Sequence, residues 1–99
     1  MNGVDLLKCI CDKTRFEILE LLQKNKELCV NDLVERLEID QPLISHHLKT
    51  LRQCGIVKSR DIGKKSMYAI TSDQLSELIS NVTETSKKIP VLCSDDKCC

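Results

Sequence analysis

The fold is decided by residues 40–55, with the sequence DQPLISHHLKTLRQCG. Asp40 can cap a helix whose first turn contains Pro42, where a missing backbone N–H has little effect. Gly55 stands where glycine is favoured, just past a helix C-terminus. The apolar positions of this helix share one face: Ile44, Leu48 and Leu51. The segment therefore predicts a helix with one buried face and one exposed face.

The segment is preceded by three stretches with helical periodicity. The first has its apolar side chains on one face: Val4, Leu7 and Ile10. The second runs from about Lys13 to Lys24, and the third lies around residues 30–37. A polar break at residues 24–27 separates the second from the third. We therefore expect three helices before the helix that starts at Asp40.

The period changes after Gly55. Residues 56–61 and 66–70 are strand-like and flank the four-residue loop Ile62-Gly63-Lys64-Lys65, which predicts a hairpin. Thr71, with Gln74 three positions later, is a capping-box pattern for a fifth helix. That helix carries an apolar stripe: Leu75, Leu78, Ile79 and Val82. The sequence predicts a mainly α domain with a small β-hairpin over residues 1–87, followed by a flexible cysteine-rich tail at 88–99.

The charge is unevenly distributed along the chain. Fifteen Lys and Arg balance fifteen Asp and Glu, a total that by itself argues against a nucleic-acid partner. Residues 41–70, however, contain six basic side chains against one acidic, and the remaining residues contain nine against fourteen. The helix that starts at Asp40 and the hairpin therefore form a basic module on an acidic body. Since Phe16 and Tyr68 are the only aromatic residues, a base-stacking binder of single strands is excluded.

The exposed face of that helix suits the reading of double-stranded DNA. Gln41, Ser45 and Lys49 are four residues apart and share one face, with His46 beside it. These groups can reach base edges in a major groove. The basic residues of the hairpin suit phosphates: Arg60, Lys64 and Lys65. A helix-turn-helix followed by a basic hairpin is a winged helix-turn-helix.

The rest of the sequence bounds the compartment and the class of protein. The first residues lack the apolar core of a signal peptide, and no apolar run approaches the roughly 20 residues that span a bilayer. We expect a cytoplasmic protein without a membrane partner. Both histidines, His46 and His47, lie on the predicted reading helix, and no glycine-rich phosphate loop is present. An enzyme is therefore not expected.

Four blocks of the sequence resemble the ArsR/SmtB family of winged-helix metal and metalloid repressors. They are CDKTRFEIL at 11–19, ELCVNDL at 27–33, QPLISHHLKTL at 41–51 and GIV at 55–57. The resemblance covers roughly residues 4 to 85 and implies a homodimer that binds palindromic operator DNA and releases it when an effector binds. It also implies an inward-facing His47 and a dimer interface built from the first and fifth helices: Leu7, Leu75, Leu78, Ile79 and Val82.

Seven cysteines are an odd number, so they cannot all pair within one chain. Cys29 lies in the block that in arsenic repressors of this family reads ELCVCDL, but Asn31 replaces the second cysteine here. Cys29 can be a helix cap, a spare ligand or a reactive thiol. A second set, Cys9, Cys11 and Cys54, can fill small buried positions or bind an ion.

The third set, Cys93, Cys98 and Cys99, lies in a polar tail with little to pack against. Three thiols within seven residues can wrap one metalloid ion, and trivalent arsenic or antimony prefers three sulfurs in a pyramid. These three are the predicted ligands of an As(III) or Sb(III) effector. The alternatives are the same fold sensing cadmium, lead, thiol oxidation or persulfide through Cys9, Cys11, Cys29 or Cys54, and a thiol carrier of metalloids that does not bind DNA.

Overall fold

The computed structural model describes residues 1–90, which form five helices and a three-stranded sheet. The helices are α1 (Gly3–Ile10), α2 (Lys13–Asn25), α3 (Val30–Leu37), α4 (Gln41–Gln53) and α5 (Asp73–Lys88). The strands are β1 (Leu28–Cys29), β2 (Val57–Ile62) and β3 (Lys65–Ile70). The winged helix-turn-helix is thus confirmed.

The turn between α3 and α4 is held by the backbone. Glu38 ends α3 in the left-handed conformation, with φ 56° and ψ 43°, and its N–H donates to the Val34 carbonyl at 2.9 Å. Asp40 then precedes α4, and its carbonyl accepts the N–H groups of Leu43 and Ile44, each at 3.1 Å. The buried face of α4 is the predicted one: Ile44, Leu48 and Leu51.

The sheet differs from the predicted hairpin in two ways. Strand β3 lies between β1 and β2, and both pairings are antiparallel. β1 was not predicted, because two residues carry no periodicity. The hairpin loop is also shorter than the predicted four residues, since Ile62 pairs with Lys65 and leaves Gly63-Lys64 as the turn. Gly63 has φ 62°, a conformation that glycine adopts without a steric penalty.

Two further details differ from what the sequence patterns suggest. The inner face of α1 carries Ile10 together with the partly buried Leu6 and Cys9, whereas Val4 and Leu7 point outward. This difference arises because α1 contacts the core along positions i, i+3 and i+4 from Leu6.

The helix cap of α5 is Ser72, whose hydroxyl accepts the Leu75 N–H at 3.1 Å. The predicted cap, Thr71, instead donates its hydroxyl to the Gly55 carbonyl at 2.9 Å.

A single hydrophobic core joins all five helices to the sheet. α5 packs on α2, and Ile79 is 1% exposed within the single chain. Ile79 therefore belongs to the core of its own protomer, so its assignment to a dimer interface is wrong. The rest of the apolar stripe stays at least partly accessible: Leu75, Leu78 and Val82. No helix among residues 1–90 has the length and apolarity needed to cross a membrane.

Candidate DNA-binding surface and cysteine sites

The face of α4 opposite the core is polar and exposed. All four predicted base-reading residues lie there, each exposed: Gln41, Ser45, His46 and Lys49. They share this face because the apolar positions of α4 occupy the other side of the helix. The Thr50 hydroxyl donates to the His46 carbonyl at 3.2 Å, so it is engaged by the helix itself. The structure thus brings the predicted reading residues together on one solvent-facing surface.

The second predicted contact surface is the wing, which we define as β2, β3 and the turn between them. Lys64 and Lys65 are exposed at its tip. Asp61 also lies in the wing, where its carboxylate accepts a hydrogen bond from the Ser66 hydroxyl at 2.8 Å. The lysine ammonium groups are compact charges on flexible stems, a form suited to phosphate contacts that carry no sequence information.

Arg60, the third predicted phosphate contact, is already engaged by an acidic residue. Its Nε and Nη2 donate to the two carboxylate oxygens of Glu27 at 2.6 and 2.7 Å. This bidentate pair raises the pKa of Arg60 and lowers the pKa of Glu27. It links the wing to the loop before β1 and partly neutralises the charge of Arg60, whose remaining N–H groups stay exposed. No sequence pattern predicts this pair, because it depends on the register of β2.

His47 faces inward, as the resemblance implies. Its side chain is 12% exposed, and its Nε2 lies 3.9 Å from the Asp12 carboxylate. Burial is the main cause that lowers the pKa of His47, and the charge of Asp12 opposes it. Asp12 caps α2 by accepting the Arg15 N–H at 3.1 Å, which is the main reason that its own pKa is low. His47 therefore joins α4 to the start of α2 and does not face the reading surface.

Cys29 is a buried helix cap. It directly precedes α3, and its thiol and its backbone N–H both donate to the Asp32 carboxylate, each at 3.2 Å. These two hydrogen bonds are the main causes that lower the pKa of Asp32. Of the three roles considered for Cys29, the geometry supports the capping role. Asn31, at the position of the missing second cysteine, is exposed.

The set Cys9, Cys11 and Cys54 is only partly brought together. Cys9 and Cys54 are half-buried against the core, and a hydrogen bond between their side chains is the main cause that raises the pKa of Cys54. Cys11 is exposed at the end of α1. Among residues 1–90, no group of three or more His, Cys, Asp or Glu side chains is arranged to hold a metal ion. Cys93, Cys98 and Cys99 lie outside the described residues.

An apolar surface remains on the side of the molecule formed by α1 and α5. Val4 and Leu7 of α1 are exposed by 60% and 59%, and Val82 of α5 by 41%. Leu75 and Leu78 are partly buried, and with Leu6 they line an open cleft of about 280 Å³. Large exposed apolar side chains that cluster in this way are typical of protein–protein interfaces.

Comparison with known proteins adds independent support for this architecture. Residues 12–59 match the family described as bacterial regulatory protein, arsR family. An uncharacterized HTH-type transcriptional regulator of Methanocaldococcus jannaschii is 41% identical over 83 residues, which is 84% of this chain and 93% of the relative. An arsenical resistance operon repressor of Staphylococcus aureus is 39% identical over 77 residues, or 78% of this chain and 73% of the relative.

The solved structures show the same fold. HlyU from Vibrio cholerae superposes with a TM-score of 0.78 at 34% identity, covering 84% of this chain and 89% of that one. The similarity thus covers much more of the chain than the helix-turn-helix itself. On both sequence and fold, this chain belongs to the arsR family of regulatory proteins.

Proposed function

We propose that the protein is a homodimeric repressor that binds double-stranded operator DNA and releases it when thiolates capture As(III) or Sb(III). The observation that carries the DNA-binding part is the joint exposure of the α4 polar face and the wing lysines on the basic module of residues 41–70. α4 would enter the major groove, where Gln41, Ser45, His46 and Lys49 contact base edges. Lys64 and Lys65 would contact phosphates and position the protein.

The homodimer is supported by the exposed apolar residues of α1 and α5. In a two-fold dimer the same surface meets its own copy, so Leu7 and Val82 would be covered together with Leu75 and Leu78. The two α4 helices would then reach successive major grooves, about 34 Å apart. A palindromic operator follows from this symmetry.

The effector part of the proposal rests on the cysteines and the relatives. The relative from Staphylococcus aureus, which is 39% identical over 78% of this chain, is an arsenical resistance operon repressor. Cys93, Cys98 and Cys99 supply the three sulfurs that pyramidal As(III) prefers, within a span of seven residues. Binding would lower the affinity for DNA by the usual coupling of about 1–3 kcal/mol, or about 5–150-fold. Such a regulator performs no catalysis and acts in the cytoplasm.

One operator-binding titration tests both parts. A duplex selected from a random pool is titrated with the protein, first without and then with arsenite, antimonite, cadmium, lead, peroxide or polysulfide. We expect salt-dependent binding and release by arsenite and antimonite. The variant with Cys93, Cys98 and Cys99 all replaced by Ser should bind the duplex equally well and lose the release.

Two results would contradict the proposal in different ways. Arsenite release that persists in the triple-serine variant would exclude the tail as the ligand set. Stoichiometric arsenic binding without any affinity for duplex DNA would show a thiol carrier instead of a repressor.

A further inference from the structure

One large aliphatic side chain lies on the exposed surface of α4. Leu43 belongs to the first turn of the helix and is 45% exposed, whereas the next residue, Ile44, is fully buried. Leu43 is neither in the hydrophobic core nor among the partly buried residues that pack against it. Its N–H donates to the Asp40 carbonyl at 3.1 Å, which fixes the backbone in this turn. The Leu43 side chain therefore faces solvent, although the other leucine and isoleucine side chains of α4 are buried.

The exposed large hydrophobic side chains among residues 1–90 fall into two groups. One group lies in α1 and α5 or at the ends of these helices: Met1, Val4, Leu7, Val82 and Ile89. The other two, Leu43 and Ile62, lie in the basic module of residues 41–70, with Ile62 at the end of β2. The dimer surface proposed above therefore does not include Leu43.

A single exposed leucine is common on protein surfaces, so its place on the helix decides what it can contact. Leu43 and Ser45 lie on opposite sides of His46 around the helix, about 60° and about 100° from it. His46 is exposed and follows Leu43 by three positions, a spacing at which two side chains on a helix are neighbours. Residues near the N-terminus of a recognition helix contact base edges. Leu43 would therefore enter the major groove together with His46.

We propose that Leu43 contacts the C5 methyl group of a thymine in each half of the operator, beside the base pair that His46 contacts. This assignment rests on the proposed DNA-binding function. The base pairs of unmodified DNA present one methyl group in the major groove, that of thymine, among hydrogen-bond donors and acceptors. A leucine side chain offers neither a donor nor an acceptor, so a polar base edge buried against it would lose its hydrogen bond to water. Leu43 thus favours an A·T pair at this position of each half-site.

The size of the effect follows from the burial of one methyl group per half-site. Its loss lowers the affinity about fourfold for one contact and about 15-fold when both halves of a two-fold complex lose it. A change of this size is large enough to measure and smaller than the loss of a bidentate hydrogen bond to a base.

Deoxyuridine tests the contact, because it pairs with adenine as thymidine does and lacks only the methyl group. In the duplex selected from a random pool, each thymine is replaced in turn, symmetrically in both half-sites. Fluorescence anisotropy at one salt concentration gives the dissociation constants. We expect one symmetric position at which the unaltered protein loses about 15-fold in affinity.

Two substitutions at position 43 assign that loss to this side chain. Leu43→Ala should bind the thymine and uracil duplexes equally well at the sensitive position. Leu43→Met keeps an apolar side chain of similar volume and should retain most of the loss. Both variants should fold, because the side chain lies outside the core.

Ile62→Ala is the matched control, because it removes an exposed aliphatic side chain from the wing and leaves α4 unchanged. Whatever its affinity, its ratio of the two dissociation constants should equal that of the unaltered protein. The proposal is overturned if uracil has no effect at any position, or if Leu43→Ala retains the full loss at every sensitive position. A protein that binds no duplex contradicts the repressor function as well, whereas binding that is insensitive to the methyl groups contradicts only the role of Leu43.

Discussion

Cys29 stands where Ser, Thr, Asp or Asn usually caps a helix. Its thiol is a weaker donor than a hydroxyl. The thiol and the backbone N–H of Cys29 both donate to the Asp32 carboxylate. The carboxylate sits in the first turn of α3, where the helix dipole also favours a negative charge. The cysteine is thus part of a local arrangement that fixes where the helix begins, directly after its pairing in β1.

Replacing this thiol separates a structural role from a sensing role. Cys29→Ala should lower the free energy of unfolding by about 1–2 kcal/mol, because the hydrogen bond from the thiol to the Asp32 carboxylate and a buried atom are lost. Cys29→Ser should keep more of that stability, since its hydroxyl can still donate to Asp32. Urea unfolding measures both. Equal stability of Cys29→Ala and the unaltered protein would remove the capping role, and loss of arsenite release in Cys29→Ser would make Cys29 a ligand.

The contacts of single residues were the hardest to predict from the sequence where the two partners lie far apart along the chain. The inward position of His47 followed from the resemblance, but its partner Asp12 belongs to the cap of another helix. Likewise, Glu27 meets Arg60 only because β2 has the register that places it there. Such contacts depend on the tertiary arrangement, which no local pattern encodes.

At the scale of elements, periodicity was a good guide to the helices and a poor one to the sheet. The buried faces of α2, α3 and α4 carry repeated apolar residues and were readable from the sequence. β1 contains two residues, so its pairing with Tyr68 and Met67 could not be predicted. The tight turn of the wing was also missed, because Ile62 and Lys65 look like loop residues but form the last pair of the ladder.

The ion pair at the wing gives a test of the phosphate contacts. Glu27→Gln should free Arg60 for a phosphate and make the dependence of log K on log salt steeper by about 0.9, the value for one additional contact. Lys64→Ala should change the slope by a similar amount in the opposite direction. Fluorescence anisotropy at several salt concentrations measures both slopes. Glu77→Gln removes the same charge from an exposed position on α5 and serves as the control.

The expected change depends on Arg60 itself. The double variant Glu27→Gln, Arg60→Ala should return to the slope of Arg60→Ala alone. A steeper slope in that double variant would show that Glu27 acts by its own charge and not by holding Arg60.

At the scale of the whole molecule, the apolar surface of α1 and α5 predicts the oligomeric state. Val82→Glu would place an unpaired charge in the proposed interface, and such a charge costs about 3 kcal/mol or more, which is at least about 100-fold in the dissociation constant of the dimer. Sedimentation should then show a monomer at concentrations where the unaltered protein is a dimer. Asn81→Glu adds the same charge at the neighbouring exposed position of α5. It should leave the dimer intact, and an equal loss in both variants would contradict the assigned interface.

The charge distribution acts over the same scale. A basic region of six positive side chains against one negative side chain is attached to a body in which acidic residues outnumber basic ones. The surface outside α4 and the wing is therefore unattractive to phosphates. This arrangement should limit non-specific association with DNA through the other faces of the protein.

The two residues of β1 also restrict how the molecule can move. Leu28 and Cys29 hydrogen-bond to the middle of β3, and Cys29 is followed without a break by α3. We therefore expect the wing, α3 and α4 to move together within each protomer. A signal that weakens DNA binding would then have to change the angle or the distance between the two protomers of the proposed dimer, while each protomer keeps its internal structure.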